Sequence, residues 1–309
     1  WRGLKIRYME LMLINKWQDY LTLCKPKIVA LIVFTAIVGM FLSTPALVPL
    51  DILIFATLGI GFAASSAAVI NHVVDQKVDA VMMRTKRRPL PQGNLSMDAA
   101  IRFAALLGVI SMGILTVYVN TLTAVLTLGS LVGYGFIYSM YLKRATPQNI
   151  VIGGASGAAP PVLGWTSVTG SLDPNSLLLF LIIFAWTPPH FWALAICRRH
   201  EYEKAAIPML PVTHGVEFTR LHILLYTIVL FLVSVLPYVF YMSGEMYLFG
   251  AIVLGGGFLY LAIKMQKDHS DRLAMQTFSY SIVYLMALFA FLLADHYMPY
   301  VIQSIQSVR

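Results

Sequence analysis

Charge is scarce in this sequence. Of its 309 residues only 12% are Asp, Glu, Lys or Arg, while 59% are hydrophobic. A water-soluble domain of that composition would expose large apolar patches, so the chain is read as a membrane protein. Cysteine is nearly missing: Cys24 and Cys197 are too few for a disulfide framework or a cysteine metal cluster. Ten-residue segments of alternating polarity are missing as well, stretches such as 223–235 showing no such period, which excludes a transmembrane β-barrel. Helices are what remains, since they satisfy every backbone polar group within the segment itself. Residues 1–27 are basic and mixed, without the apolar core and small-residue cleavage site of a secretory signal, so no cleavable signal peptide is expected.

What is abundant is apolar runs of about 20 residues, the length that crosses a roughly 30 Å hydrocarbon layer. They fall near 28–48, 52–73, 98–119, 121–141, 148–168, 175–197, 221–242, 246–265 and 275–298. The predicted fold class is therefore an all-α polytopic membrane protein with nine transmembrane helices. The net charge of +8 could suggest a nucleic-acid partner, but its distribution argues against one. With the N-terminus inside, every Lys and Arg except Arg309 falls on one side of the bilayer, as the positive-inside rule requires. That side is read as cytoplasmic, and membrane lipids are the expected surroundings. Two connections on it, 77–97 and 198–219, are much longer than the others and hold a third of the chain's charged residues. Each follows the second helix of a four-helix set. The chain thus reads as a single domain, 1–309, of two similar halves plus a ninth helix, with 1–27 a cytoplasmic N-terminal segment.

Chemistry concentrates at the end of the second apolar run. Asn71, Asp75 and Asp79 are spaced i, i+4 and i+8, so on a helix they drift only about 80° in total and share one face. Two carboxylates and an amide oxygen on one stripe can hold a hard divalent ion, and Mg2+ suits them because it fills its other positions with water and phosphate oxygens. Carboxylates at membrane depth are costly, about 3 kcal/mol each on insertion scales. Arg84, Lys86, Arg87 and Arg88 follow within ten residues. Cations next to a carboxylate stripe form a site for a metal-bridged diphosphate. Further on, the small-residue run 152–161 lets helices or a flat ligand approach closely. Pro188 and Pro189 are expected to break the hydrogen-bond ladder just before His190.

The segment Asn71-His72-Val73-Val74-Asp75-Gln76-Lys77-Val78-Asp79, continued by Met83-Arg84-Thr85-Lys86-Arg87-Arg88-Pro89-Leu90-Pro91-Gln92-Gly93, resembles the first aspartate-rich motif of the UbiA-type intramembrane prenyltransferases. The Met-Arg-Thr and Arg-Pro-Leu-Pro elements narrow the likeness to the heme-farnesylating branch. The resemblance extends through Tyr138 to Arg144, Asn149 to Gly154, Pro188 to Ala195, Glu201-Tyr202 and Pro208 to Val212, and so covers nearly the whole transmembrane region. It implies transfer of a farnesyl group from farnesyl diphosphate to a vinyl group of heme B, with hydration, giving heme O. It also implies that Asn71, Asp75 and Asp79 hold magnesium, and that Arg84, Lys86, Arg87 and Lys143 stabilise the departing pyrophosphate. The expected location is a bacterial inner membrane, with heme A synthase or oxidase-assembly proteins as partners.

The second long connection departs from the wider family. Where many relatives carry another aspartate-rich motif, this chain reads Cys197-Arg198-Arg199-His200-Glu201-Tyr202-Glu203-Lys204. Arg198 is then a direct diphosphate contact and Glu201 the only well-placed acid for a metal, unless the segment is an ordinary basic loop. Imidazole is a common axial ligand of heme iron, although a lone His is more often a satisfied polar residue. His190 is the first choice for a heme contact, with Trp192 offering a flat apolar surface, and His72 and His214 follow. His296 reads as interfacial and His269 as a loop residue. Two other readings stay open: a prenyltransferase for a quinone-type aromatic acceptor, and a secondary transporter built from duplicated halves with broken helices.

Overall fold

A computed structural model describes residues 16–307, with side chains through Pro299. Every regular element among them is helical. Helix α1 (Lys16–Leu23) meets α2 (Pro26–Leu42) at a 47° bend. Lys25 forms the bend with a left-handed backbone, φ 52° and ψ 60°, and Pro26 starts α2 with its preset φ. Then come α3 (Leu50–Val81) and α4 (Met97–Tyr118). Helix α4 is capped by Ser96, whose hydroxyl accepts from Ala99 N–H. Helix α5 (Thr121–Ala145) is capped by Asn120. Two ten-residue helices follow, α6 (Asn149–Ala158) and α7 (Pro160–Thr169), then α8 (Pro174–Cys197), capped by Asp173. The short α9 (Arg199–Lys204) and α10 (Leu210–Thr213) lead to α11 (Gly215–Val239), α12 (Glu245–Lys267) and α13 (Asp271–Ser307).

Each expected apolar run is matched by helix, but the count of nine spans is not confirmed. Seven helices are long and apolar enough to cross a membrane, or eight if bent α1–α2 counts as one span. The fifth run is shared by α6 and α7. Ala159 between them keeps helical dihedrals, but Pro160 and Pro161 have no N–H to donate, so the ladder lapses there. The first long connection is also shorter than expected, running from Met82 to Ser96, because α3 continues through Lys77 and Asp79 to Val81. At 32 residues α3 is about 48 Å long, well over the hydrocarbon thickness. The second connection ends earlier too, with α11 starting at Gly215. The break expected at Pro188-Pro189 does not occur, since α8 runs unbroken past both. Both prolines are buried, and the Thr187 hydroxyl donates to Ile183 O at 2.8 Å. The prolines leave the carbonyls of Phe184 and Ala185, four residues back, without their usual donors, and both residues pack in the core shared with α11, α12 and α13, a setting in which membrane helices tolerate proline.

The helices close into a ring. Helix α3 packs on α2, α4 and α5; α6 bridges α5 to α8; α8 packs on α11 and α13; α12 lies between α11 and α13; and α13 reaches back to α2. Helices α2 and α7 meet backbone to backbone. A Cβ on Gly39 would lie 2.1 Å from Pro161 O, and one on Gly164 1.9 Å from Ala36 O. At the basic end, Val78 of α3 packs against a buried cluster of Ile150, Trp192, Ile196, Ile207, Leu210 and Leu273. That contact brings the end of α3 to the second long connection.

Candidate active site

Helical spacing puts Asn71, Asp75 and Asp79 on the same face of α3, and the ring packs that face inward. All three are buried, Asp75 to 2% exposure and Asp79 to 3%. Such carboxylates must be paired. Lys143 Nζ lies 2.5 Å from Asp75 Oδ2, and Arg88 Nη1 lies 2.7 Å from Asp79 Oδ2. Lys25 Nζ donates to Asn71 Oδ1 at 2.6 Å, while Asn71 Nδ2 donates to Asp75 Oδ2 at 3.0 Å and to Ser139 Oγ at 3.2 Å. Ser139 sits in a π-helical stretch of α5, Gly133–Leu142, and its hydroxyl donates to Tyr134 O at 2.9 Å. Such stretches recur at functional sites, and this one carries both Ser139 and, just beyond it, Lys143 to α3.

The residues fit a divalent ion. Asp75 Oδ1 is buried with no hydrogen-bond partner among the described residues, an orphaned carboxylate oxygen on the stripe. No group of three or more His, Cys, Asp or Glu able to hold a metal occurs among the described residues. The protein's share is thus two carboxylates and an amide, which suits an ion that completes its shell with phosphate oxygens and water.

A profile of the UbiA prenyltransferase family matches residues 32–296. The chain belongs to that family. A relative from Nitrosococcus oceani named protoheme IX farnesyltransferase is 64% identical over 93% of this chain and 96% of its own length. In fold, the chain is similar to a digeranylgeranylglyceryl phosphate synthase, with TM-score 0.77, 17% identity and coverage of 91% and 99% of the two chains. It is also similar to a UbiA homolog from Archaeoglobus fulgidus bound to DMAPP and Mg2+, with TM-score 0.60, 18% identity and coverage of 89% and 99%. The chain is accordingly an integral membrane enzyme of the UbiA fold.

Around this UbiA-family stripe the sequence-derived candidates divide. Lys143 touches it directly. Arg84 and Arg87 stand exposed and Lys86 half-buried on the connection after α3. Arg198 pairs with Glu201 at 2.8 Å, leaving Glu201 Oε2 buried without a partner among the described residues. The two long connections converge at Tyr202. Burial pushes its phenol above the ordinary range, Arg84 and Arg198 pull it down, and Glu201 and Asp75 push it up. Arg199 contacts both carboxylate oxygens of Asp271 of α13 at 2.8 Å and also donates to Ile196 O at 2.8 Å, tying α9 to α13 and to the end of α8.

The heme candidates are spread out. His72 lies beside the stripe on α3, with Nδ1 4.0 Å from Asp79 Oδ2 and neither ring nitrogen hydrogen-bonded among the described residues. His190 is held by α13: its Nδ1 is 2.6 Å from Ser281 Oγ, and its ring stacks on Trp186 and Phe278 at 4.1 and 4.6 Å. Trp192 faces α11 instead, edge-on to His222 and Tyr226. His190 and Trp192 therefore do not form one wall. His214 is exposed on the second connection and stacks on Phe218. Lys25, Arg88 and Ser139 were not among the sequence-derived candidates for catalysis. Arg88 had a signal, being one of the four cations after the stripe, whereas Lys25 precedes it by 46 residues.

Proposed function

We propose that this chain transfers a farnesyl group from farnesyl diphosphate to a vinyl group of heme B, with hydration, giving heme O and pyrophosphate. Its 64%-identical relative is named protoheme IX farnesyltransferase. The observation that carries the chemistry is the buried Asn71, Asp75, Asp79 stripe held beneath Lys25, Lys143 and Arg88.

The diphosphate is placed at the stripe, on the cytoplasmic side of a bacterial inner membrane, within the single domain 1–309. Asn71, Asp75 and Asp79 would hold Mg2+, which neutralises the diphosphate and makes it a better leaving group. Support for this ion comes from the orphaned Asp75 Oδ1 and from the Archaeoglobus fulgidus homolog bound to DMAPP and Mg2+. Lys143, Lys25 and Arg88 stabilise negative charge as the C–O bond breaks, and Arg84, Lys86 and Arg87 hold the departing pyrophosphate from the connection above. The vinyl group attacks the allylic cation, and the porphyrin-stabilised cation that results takes up water and releases a proton to solvent, leaving the hydroxyl. The helix ring keeps other water away from the farnesyl cation, which would otherwise be hydrolysed.

Incubating the purified chain with heme B, a quinone-type aromatic acid, farnesyl diphosphate and Mg2+ tests this. A pigment with the mass of heme O is expected, and unchanged heme B alongside a prenylated quinone-type acid would overturn the assignment.

A further inference from the structure

The cations that hold the stripe outnumber its carboxylates. Against Asp75 and Asp79 stand Lys143, Arg88 and Lys25, at 2.5 Å from Asp75 Oδ2, 2.7 Å from Asp79 Oδ2 and 2.6 Å from Asn71 Oδ1. Each of the three side chains that would ligate the metal thus has an oxygen engaged by a cation. The Lys143 and Arg88 side chains are only 14% and 19% exposed, so solvent screens these contacts little. A divalent ion approaching alone finds Asp75 Oδ1 free but meets like charge at Asp75 Oδ2, Asp79 Oδ2 and Asn71 Oδ1. Taking those oxygens would strand a buried ammonium or guanidinium without a partner, which is strongly unfavourable. A diphosphate reverses the balance, because its oxygens give the displaced cations charge-assisted partners while the metal takes the carboxylates.

We propose that Lys25, Lys143 and Arg88 make metal and diphosphate binding depend on each other, so that the stripe admits a divalent ion only as its cations transfer to a diphosphate. This rests on reading the stripe as a metal-diphosphate site. The three cations come from three separate places at the basic end: the α1–α2 bend, the connection after α3, and the last turn of α5. Each can turn from its oxygen on α3 to a phosphate oxygen without moving α3. By linkage the coupling is reciprocal, each ligand raising the affinity of the other by the same factor.

The test uses the purified full chain in detergent, Mn2+ as an EPR-visible probe, and ultrafiltration to count the Mn2+ retained with protein. Inorganic pyrophosphate should raise Mn2+ affinity about ten- to hundredfold, the usual span of such couplings. Lys25→Gln and Arg88→Gln should each bind Mn2+ alone several-fold more tightly than wild type and show a smaller pyrophosphate effect, whereas Lys25→Arg keeps wild-type behaviour. Tighter metal binding on removing a side chain is not a result that a merely structural role produces. If Lys25→Gln or Arg88→Gln fails to fold, Lys143→Gln takes its place. Wild-type protein that binds Mn2+ equally well with and without pyrophosphate, or folded variants that bind Mn2+ alone no better, would overturn the proposal. Heme and farnesyl are absent from the assay, so intact coupling without heme O formation sinks only the proposed acceptor chemistry, and the reverse sinks only this inference.

Discussion

Replacing Asp75 by Asn separates what the carboxylate does for the fold from what it does for the reaction. Asp75 and Lys143 form an ion pair 2.5 Å long with side chains 3% and 14% exposed. Asn keeps the shape and an accepting carbonyl but leaves the Lys143 ammonium buried against a neutral amide. Breaking a buried pair by neutralising one partner costs about 3 to 5 kcal/mol. The retained acceptor places Asp75→Asn near the lower end, about 3 kcal/mol, or more than a hundredfold in the folding equilibrium. Lys143→Met should destabilise by a similar amount, because it strands the carboxylate. The double variant removes both charges and should recover most of the loss, since a buried pair replaced by neutral groups of similar volume is often close to neutral. Thermal unfolding in detergent across wild type, the two single variants and the double variant reads this coupling, and heme O formation in the same four proteins reads the chemistry. Stability should return in the double variant while activity stays lost, because a metal ligand and a diphosphate contact have both gone. The reasoning fails if Asp75→Asn unfolds with wild type, or if the double variant regains heme O production.

Arg84→Ala or Arg87→Ala should weaken farnesyl diphosphate binding by roughly ten- to hundredfold, the worth of one charge-assisted contact, and leave heme binding nearly unchanged; titration of each ligand separately checks this. Gly164→Ala should lower stability by about 1 to 3 kcal/mol, because its Cβ would sit 1.9 Å from the backbone oxygen of Ala36 and neither backbone can yield; equal unfolding temperatures for the two proteins would contradict it. His190→Ala should cost about 2 to 3 kcal/mol from the lost stacking and the lost bond to Ser281, and a change in the absorption band of bound heme would add a direct heme contact to that structural role.

The apolar runs located the helices because, in lipid, length and hydropathy leave the backbone little alternative. They misplaced the helix ends wherever polar residues continue a helix. Lys77 and Asp79 look like loop because a hydropathy reading treats charge as exposure. In the structure Asp79 is 3% exposed, its charge met by an arginine nine positions on, so the helix continues past it. The prolines misled in both directions for a single reason. Pro160 and Pro161 divide a span into two ten-residue helices, whereas Pro188 and Pro189 are carried within one helix of 24. Sequence shows that a backbone donor is missing, but not whether the neighbouring helices hold the chain in line regardless.

The site was legible where it is local and hidden where it is not. Asn71, Asp75 and Asp79 follow from helical periodicity alone, and burial of their charges means that compensating cations must come from the basic side. Which cations do so is decided by a left-handed residue at a helix bend and by a π-helical stretch, neither of which leaves a mark in hydropathy. Lys25 reaches Asn71 because its own φ is positive and Pro26 fixes the direction of α2; Lys143 reaches Asp75 across 68 residues because the wider π turns bring the end of α5 against α3. The heme candidates on α8 are the opposite case, one in which the sequence held the answer. Residues two apart on a helix point about 200° away from each other, so His190 and Trp192 could not line a single wall, and the structure turns one toward α13 and the other toward α11. A heme contact on α8 therefore involves one of these faces and not both, and His190, on the face shared with Ser281 and Phe278, is the one whose replacement distinguishes them.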